Sequence, residues 1–344
     1  MVHATGAASA RKVVILTFDD VTMSDIGGPA DVFALANRYY LPEGSQFYDV
    51  VIASVAGGPV RTSSGIVIQT SELSRIEVGA DDTLIVAGGG PPQSPPIPED
   101  LVEWLAAHGR NAGRLCAVCT GIFLLAEAGL VDNRRVTTHW EAAPILKIRY
   151  PAVIVDAEPI FISDDHVWSS AGFTAGLDLA LAMLEQDHGH EVAMRATQAM
   201  VLFLRRPGEQ PQKSAALSSQ LSGDPTFSRL HAWMMQHLSG DLKIEALAEQ
   251  AGMTPRTFAR RYVEKVGRTP AKTVEILRLE AAQRNLVQSD SSLKQIARTC
   301  GFGNEQNLRR AFVRSFGKAP ELMRQDVYPD ALLSRHTDPI ELGL

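Results

Sequence analysis

One set of side chains with chemical potential surrounds Cys119, which follows the apolar run 115–118 and precedes an apolar helical pattern that begins at Ile122. A strand that turns sharply into a helix at this point forms a nucleophile elbow. A thiol at a helix N-terminus has a lowered pKa, because the helix dipole favours the thiolate. The sequence therefore predicts a reactive or ligand-facing cysteine at position 119.

Two other segments are expected to converge on this elbow. Asp25 follows the first predicted strand, and Gly88, Gly89 and Gly90 follow the third. Ligands of open α/β sheets bind at the carboxyl ends of the strands, where these segments lie. We therefore expect them to line one ligand pocket together with Cys119 and Thr120, with the glycines allowing close backbone approach.

A second set of side chains belongs to a helix-turn-helix pattern that occurs twice, in residues 244–270 and 293–320. The second copy has one extra residue in its turn. Gly252 and Gly301 are expected to supply the left-handed backbone that ends the first helix of each copy. The following helix has an apolar face and an outward face. The predicted outward residues are Arg256, Thr257 and Arg260 in the first copy and Gln306, Asn307 and Arg310 in the second.

These outward residues have the chemistry of DNA readout, because arginine and glutamine contact guanine and adenine edges in the major groove. Between the copies, Thr269-Pro270 predicts the start of a helix that ends near Gln288. Nineteen residues at about 1.5 Å each span roughly 28 Å, close to the ~34 Å turn of B-DNA. The sequence therefore predicts that the two reading helices enter successive major grooves.

The remaining pattern predicts a doubly wound α/β domain. Continuous apolar runs at 13–16, 50–53 and 84–87 are typical of buried parallel strands, and helical patterns at 29–37 and 98–107 alternate with them along the chain. We predict tails at 1–10 and 328–344, an α/β domain over 11–206, a linker over 207–223, and an all-α domain with two helix-turn-helix units over 224–327.

Charge supports this division. The chain carries a net charge of −6. Residues 224–326 hold 17 Lys and Arg against 11 Asp and Glu, and the rest of the chain holds 16 against 28. A basic C-terminal module beside an acidic body is expected where only one end meets phosphates. No apolar run approaches 18 residues, and three cysteines form no disulfide framework, so we expect a cytoplasmic protein without a membrane span.

Two further patterns have structural explanations. Cys116 and Cys119 form a CxxC pair, but residues three apart in a strand point to opposite faces. The histidines of the segment 188–191 lie near a predicted helix end, where a solvated turn is expected. Neither pattern predicts a metal site, and the sequence predicts no cofactor.

The C-terminal residues, with their spaced pair of helix-turn-helix patterns and the GF at 301–302, resemble the AraC/XylS family of regulators. The N-terminal residues resemble the class I glutamine amidotransferase-like superfamily, a flavodoxin-like fold, in the branch of intracellular proteases and isocyanide hydratase. The shared residues are CTG at the elbow, TTHW at 137–140 and SAGFTAGLDLAL from 170. From about 11 to 326 the chain is similar to GlxA-like regulators.

The resemblance implies roles for particular residues. Asp25 takes the place of the superfamily's pocket acid. His139 takes a place where some members have a pocket histidine. Protease-like members have histidine directly after the elbow cysteine, where this chain has Thr120. A Cys-His pair for nucleophilic attack would need His139 instead. The hydratase branch also has CTG and pairs the cysteine with an acid, so the resemblance leaves hydration chemistry open. We expect a ligand-sensing pocket and assign no catalytic residue.

The resemblance also implies partners. They are double-stranded promoter DNA, a small effector related to amino acids or quaternary amines, a second copy of the chain, and RNA polymerase if control is activation.

The alternative to a ligand-responsive transcription regulator is an enzyme. It would be a cysteine-dependent hydratase or deglycase whose C-terminal module targets it to DNA.

Overall fold

A computed structural model describes residues 10–40, 46–202, 205–213, 224–289, 291–316 and 319–322. Residues 1–9 of the predicted N-terminal tail, 214–223 of the predicted linker, Gly317 and the C-terminal tail lie outside the described residues. The contacts within the chain divide it into two units, Met1–Gln212 and Lys213–Leu344.

The first unit is built on strands that are buried on both faces. In strand β1 (Arg11–Leu16), Val14 and Leu16 pack into one core, whereas Val13 and Ile15 pack into the other. A strand covered by helices on both sides needs apolar side chains at every position, which explains the continuous apolar run in the sequence.

The main sheet contains β1 and seven further strands of the described residues: β2 Tyr48–Ser54, β3 Gly58–Arg61, β4 Val67–Glu72, β5 Thr83–Val86, β6 Arg114–Val118, β9 Phe161–Asp164 and β10 Val167–Ser170. Their order in the sheet is β3-β4-β2-β1-β5-β6-β10-β9. The pairs from β4 to β10 are parallel, while β3 and β9 are antiparallel edge strands. A small parallel pair joins β7 (Arg135–Val136) and β8 (Ile154–Val155).

Helices cover both faces of this sheet. They are α1 Met23–Tyr40, α2 Glu99–His108, α3 Ile122–Glu127, α4 Ala143–Arg149, α5 Thr174–His188 and α6 His190–Ala199. Helices α1, α5 and α6 contribute to one core, and α2, α3 and α4 to the other. The mostly parallel sheet between two helical layers confirms the predicted doubly wound, flavodoxin-like fold. The antiparallel edge strands were not predicted.

The first unit continues past Arg206, where the linker was predicted to begin. Ile160 N donates to the carbonyls of Gly208 and Gln210, at 3.0 and 2.9 Å, and Gln212 N donates to Glu158 O at 2.9 Å. Residues 207–212 thus have hydrogen-bond partners within the α/β unit.

The described part of the second unit is helical. They are α7 Pro225–Gln236, α8 Ile244–Gln250, α9 Pro255–Val266, α10 Pro270–Gln288, α11 Leu293–Thr299 and α12 Glu305–Phe316. Two apolar clusters form its core. One is centred on the fully buried Phe258 and Tyr262 and the other on Leu308 and Phe312.

Helix α10 belongs to both clusters of the second unit. Its first half buries Val274 and Leu277 against the first helix-turn-helix, and its second half buries Ala282 and Leu286 against the second. The helix begins at Pro270, capped by the Thr269 hydroxyl, and ends at Gln288, as predicted. Because this helix packs on both helix-turn-helix motifs of the second unit, it fixes the spacing between the two reading helices.

Candidate functional site

The chain forms a strained elbow at Cys119. The residue has φ +56°, a left-handed conformation that is uncommon for residues other than glycine, and lies between β6 and the short turn that leads into α3. The Thr138 hydroxyl donates to the Cys119 carbonyl at 2.7 Å. Thr138 is fully buried, so this hydrogen bond holds the elbow from inside the protein.

Asp25 lies against the Cys119 thiol. Its carboxylate is fully buried in the first turn of α1, and Oδ1 accepts a hydrogen bond from Phe173 N at 2.8 Å. Within the described part of the chain, Oδ2 has no hydrogen bond of ordinary geometry. Burial raises the pKa of Asp25 to about 7, although contacts with the backbone of Phe173 and Gly88 and with Cys119 lower it. Near neutral pH this carboxyl group therefore changes its charge.

The Cys119 thiol is not activated, so the expectation of a lowered pKa is wrong. Burial, followed by the charge of Asp25, raises the pKa of Cys119 to about 12, while hydrogen bonds to Thr120 lower it. The side chain is almost fully enclosed, and desolvation of a thiolate there outweighs the partial charge of one short helical turn. At neutral pH the sulfur is a protonated thiol.

Two glycines hold the thiol between them. A Cβ added at Gly88 would lie 2.7 Å from Cys119 Cβ, and one added at Gly172 would lie 2.8 Å from Cys119 Sγ. Gly172 also has φ +92°. Neither position accepts a larger residue without moving the elbow.

The other predicted pocket residues are closely packed. Thr120 Oγ1 donates to Gly89 O and accepts from Gly89 N, both at 2.9 Å. A Cβ added at Gly89 would lie 2.7 Å from Asp20 O, and one at Gly90 would lie 2.4 Å from Pro96 Cδ. Residues 88–90 thus pack closely against neighbouring protein.

His139 lies beside Glu141 and Trp140. Its Nδ1 accepts from Glu141 N at 3.4 Å and lies 3.9 Å from Glu141 Oε2, and its ring is tilted against Trp140. The groups that shift the pKa of Cys119 are Asp25 and Thr120. The neighbouring Thr138 contacts the elbow through its hydroxyl.

Sequence reasoning missed Gly172, Phe173 and Thr138 as site residues. Gly172 and Phe173 are separated from Asp25 by almost 150 positions, and Phe173 has φ +50°, which is unusual for an aromatic residue. Their signal in the sequence is the GF between β10 and the start of α5, at the carboxyl end of a strand.

Cys116 and His190 make structural contacts. All three cysteines are free, and the Cys116 thiol contacts Met183 Sδ at 3.5 Å. Gly189, with φ +84°, separates α5 from α6, and His190 Nδ1 lies 2.6 Å from Glu185 Oε1. No group of metal-binding side chains occurs among the described residues.

The second unit contains both predicted helix-turn-helix motifs. Gly252 and Gly301 have φ +66° and +80° and end α8 and α11. The turns between the helices contain residues 251–254 and 300–304, so the extra residue lies in the second turn, as predicted. The second turn also contains Gly303, with φ +78°.

The reading helices α9 and α12 present the predicted outward residues to solvent. All six residues are exposed: Arg256, Thr257, Arg260, Gln306, Asn307 and Arg310. Two of them, Thr257 and Asn307, also form hydrogen bonds near the N-termini of the reading helices. The Thr254 hydroxyl accepts from Thr257 N at 3.3 Å, and Asn307 donates to Phe302 O at 3.0 Å.

A groove of about 1200 Å³ lies between the two helix-turn-helix motifs, lined by residues of α9, the start of α10 and α12. Glu275 of α10 pairs with Lys272 at 3.0 Å and with Arg314 of α12. These ion pairs connect the spacer helix with the second reading helix.

Fold and site together define a two-part helix-turn-helix protein, in which an α/β unit with an elbow cysteine is joined to twin DNA-reading motifs. The chain belongs to the DJ-1/PfpI family, whose pattern matches residues 11–186, and it carries a helix-turn-helix domain that matches residues 247–326. Among the described residues no helix is long and apolar enough to cross a membrane.

Several regulators are similar over most of this chain. The HTH-type transcriptional regulator CdhR of Pseudomonas aeruginosa is 32% identical and the match covers 83% of each chain. GbdR of P. aeruginosa is 27% identical over 92% of this chain and 84% of its own. GlxA of Rhizobium meliloti is 27% identical over 94% of this chain and 99% of its own.

Proposed function

We propose that this protein is a sequence-specific transcription regulator whose α/β unit senses a small molecule and forms a homodimer. The observation that carries the proposal is the pair of matched, exposed reading faces on α9 and α12, held at a fixed spacing by one shared helix. The relatives CdhR, GbdR and GlxA are all named as HTH-type transcriptional regulators.

The reading faces support contact with two half-sites. Arg260 and Arg310 occupy equivalent outward positions, and each is expected to contact base edges in one major groove. The surrounding unit is basic, which favours binding to the phosphate backbone. If control is activation, RNA polymerase is the further partner.

The buried polar groups near the elbow support sensing of a polar molecule. Asp25 Oδ2 and the fully buried Ser170 Oγ have no hydrogen bond of ordinary geometry among the described residues. Both lie near the carboxyl edge of the sheet, where ligands of such folds bind. An effector with hydrogen-bond donors, such as an amino acid or a related amine, would satisfy them.

The alternative is a cysteine-dependent hydratase or deglycase. Nucleophilic attack needs a thiolate or an adjacent base. Burial raises the pKa of the Cys119 thiol, which favours sensing, whereas Asp25, which lies against the thiol, is the base that turnover would use. Hydration of isocyanides or consumption of ketoaldehydes, lost in Cys119→Ala, would support the enzyme instead.

The DNA-reading role is tested by selecting binding sites from random DNA with the whole chain, then footprinting the selected site. We expect two protected patches about 10 base pairs apart. Arg260→Ala and Arg310→Ala should each weaken binding by about 1–3 kcal/mol and relax selectivity in one patch.

Matched controls lie beside the two arginines, at Arg261 directly after Arg260 and at Arg309 directly before Arg310. Arg261 pairs with Asp224, and Arg309 pairs with Glu305, so alanine at either position should leave base preference unchanged. Loss of selectivity in both patches from one substitution, or equal effects of the controls, would contradict the assignment.

A further inference from the structure

Residues 205–212, which we call the strap, lead from the α/β unit towards the second unit. The strap is hydrogen-bonded to the α/β unit at both ends, and in its middle the carbonyls of Gly208 and Gln210 accept from Ile160 N. At the first end, Arg206 binds Asp178 of α5 through its backbone N, Nε and Nη2, at 2.9, 2.9 and 2.6 Å. Nη2 also donates to Thr174 Oγ1 at 2.8 Å. Asp178 is buried, so removal of Arg206 would leave its carboxylate without a partner inside the protein, which is strongly destabilising.

At the other end, the side-chain amide of Gln212 enters a cluster of acceptors. Its Nε2 lies 2.8 Å from Thr138 O, 3.0 Å from Ala157 O, 3.1 Å from Pro159 O and 3.1 Å from Thr137 Oγ1. Three carbonyl oxygens around one nitrogen determine the orientation of the amide.

Each end of the strap is connected to one of the two buried side chains at the elbow, Cys119 and Asp25. Gln212 binds Thr138, whose hydroxyl donates to the Cys119 carbonyl. Arg206 binds the first turns of α5, and the residue directly before α5, Phe173, donates its N–H to Asp25.

The elbow has little room in which to change without moving these supports. Gly172 and Gly88 enclose the thiol so closely that an added methyl group would lie within 3 Å of Cys119. A group that enters between Asp25 and Cys119 must therefore displace the backbone at 172–173 or at 88, or move the elbow itself, whose carbonyl is held by the Thr138 hydroxyl. Close-packed segments respond to such displacement by switching between discrete arrangements.

We propose that the strap transmits the state of the Asp25–Cys119 site to the DNA-binding unit. This inference rests on the proposed function. Occupation of the site shifts Thr138 or Phe173, weakens the hold on Gln212 or Arg206, and releases residues 205–212. Release adds eight residues to the connection between the two units. In the proposed dimer, a longer connection changes the effective concentration at which the DNA-binding unit of one protomer meets its DNA after the other protomer has bound.

The coupling is reciprocal, so it can be tested without the effector. If the site controls the strap, loosening the strap must change the site. The probe is iodoacetamide, and the measurements are the alkylation rate of Cys119 and the amide hydrogen exchange of residues 205–212 in the whole chain. Cys116, which is fully buried in the sheet, is the internal reference.

In Gln212→Ala we expect at least a tenfold faster exchange in the strap and at least a fivefold faster alkylation of Cys119, with Cys116 unchanged. The matched control is Glu209→Ala, which changes an exposed side chain in the middle of the strap and should alter neither rate. A circular dichroism spectrum like that of the wild type excludes unfolding as the cause.

A released strap with an unchanged Cys119 rate would overturn the coupling. If exchange stays slow in Gln212→Ala, the Arg206→Ala and Gln212→Ala double variant is measured, and a strap that is still protected there refutes the proposed contacts. If the double variant unfolds, Gln212→Glu replaces it, because a carboxylate among three carbonyl oxygens must leave the cluster.

The last measurement is the affinity of the whole chain for a DNA site selected by the wild type. Gln212→Ala should change it at least threefold, and an unchanged affinity beside a faster Cys119 reaction would refute transmission. If the wild type selects no DNA sequence, the proposed function fails, while the alkylation result still decides whether the strap and the site are coupled.

Discussion

The buried carboxyl group of Asp25 makes the stability of the α/β unit depend on pH. Its pKa rises from 3.8 to about 7 on folding, because burial disfavours the charged form. A raised pKa means that the folded protein holds the proton more tightly than the unfolded chain. The corresponding stabilisation is complete below pH 3.8 and is lost as the pH rises through 7.

The magnitude follows from the two pKa values. Across the whole range, a shift of about 3 units corresponds to about 4 kcal/mol at 1.36 kcal/mol per unit. Between pH 5 and pH 8 the loss from this one group is about 2.5 kcal/mol. Asp25→Asn removes the titrating group, so its unfolding free energy should fall less than that of the wild type over this interval.

The measurement is urea unfolding of wild type and Asp25→Asn from pH 5 to pH 8, followed by tryptophan fluorescence. Trp233 is the tryptophan of the second unit, so a Trp233→Phe background restricts the signal to the α/β unit. Asp31→Asn, an exposed position on the same helix, is the matched control and should follow the wild type. Parallel curves for wild type and Asp25→Asn would refute the reasoning.

Three further outcomes are expected. Gly172→Ala should destabilise the α/β unit by about 2 kcal/mol or more, because the new methyl group meets the Cys119 sulfur and the backbone has φ +92°; urea unfolding measures this. Thr269→Ala removes the hydroxyl that accepts from Lys272 N and should cost about 1 kcal/mol, measured by thermal unfolding of the second unit. Residues 11–212 should sediment as a dimer and residues 224–344 as a monomer; a dimer of the second fragment would contradict the proposed assembly.

The helix-turn-helix unit was predicted well because its signals are local. Gly252 and Gly301 adopt the left-handed backbone that their positions in the pattern require. The spacer helix has its predicted ends because a threonine cap and a first-turn proline specify the start of a helix within a few residues. The outward faces follow from helical periodicity once Phe258 and Leu308 are known to be buried.

The α/β site was predicted only in part. The buried strands and the elbow are visible as apolar runs followed by small residues, so the positions of Asp25 and Cys119 at one edge of the sheet could be expected. The protonation of the thiol could not be predicted, because it depends on how completely neighbouring segments exclude water from Cys119. The sequence alone predicted that the helix dipole would lower the pKa of the thiol. In an enclosed site this effect is weaker than the desolvation that raises the pKa.

The sequence by itself determined the two kinds of domain, the twin reading faces and the residues that could meet at the elbow, because each of these depends on periodicity and on backbone preference within a short stretch. Only the tertiary structure decided that Phe173 holds Asp25, that Thr138 supports Cys119, and that Gln212 binds the same threonine. Such contacts join residues far apart in the chain. They arise from the way in which whole strands and helices pack, and no local pattern in the sequence encodes them.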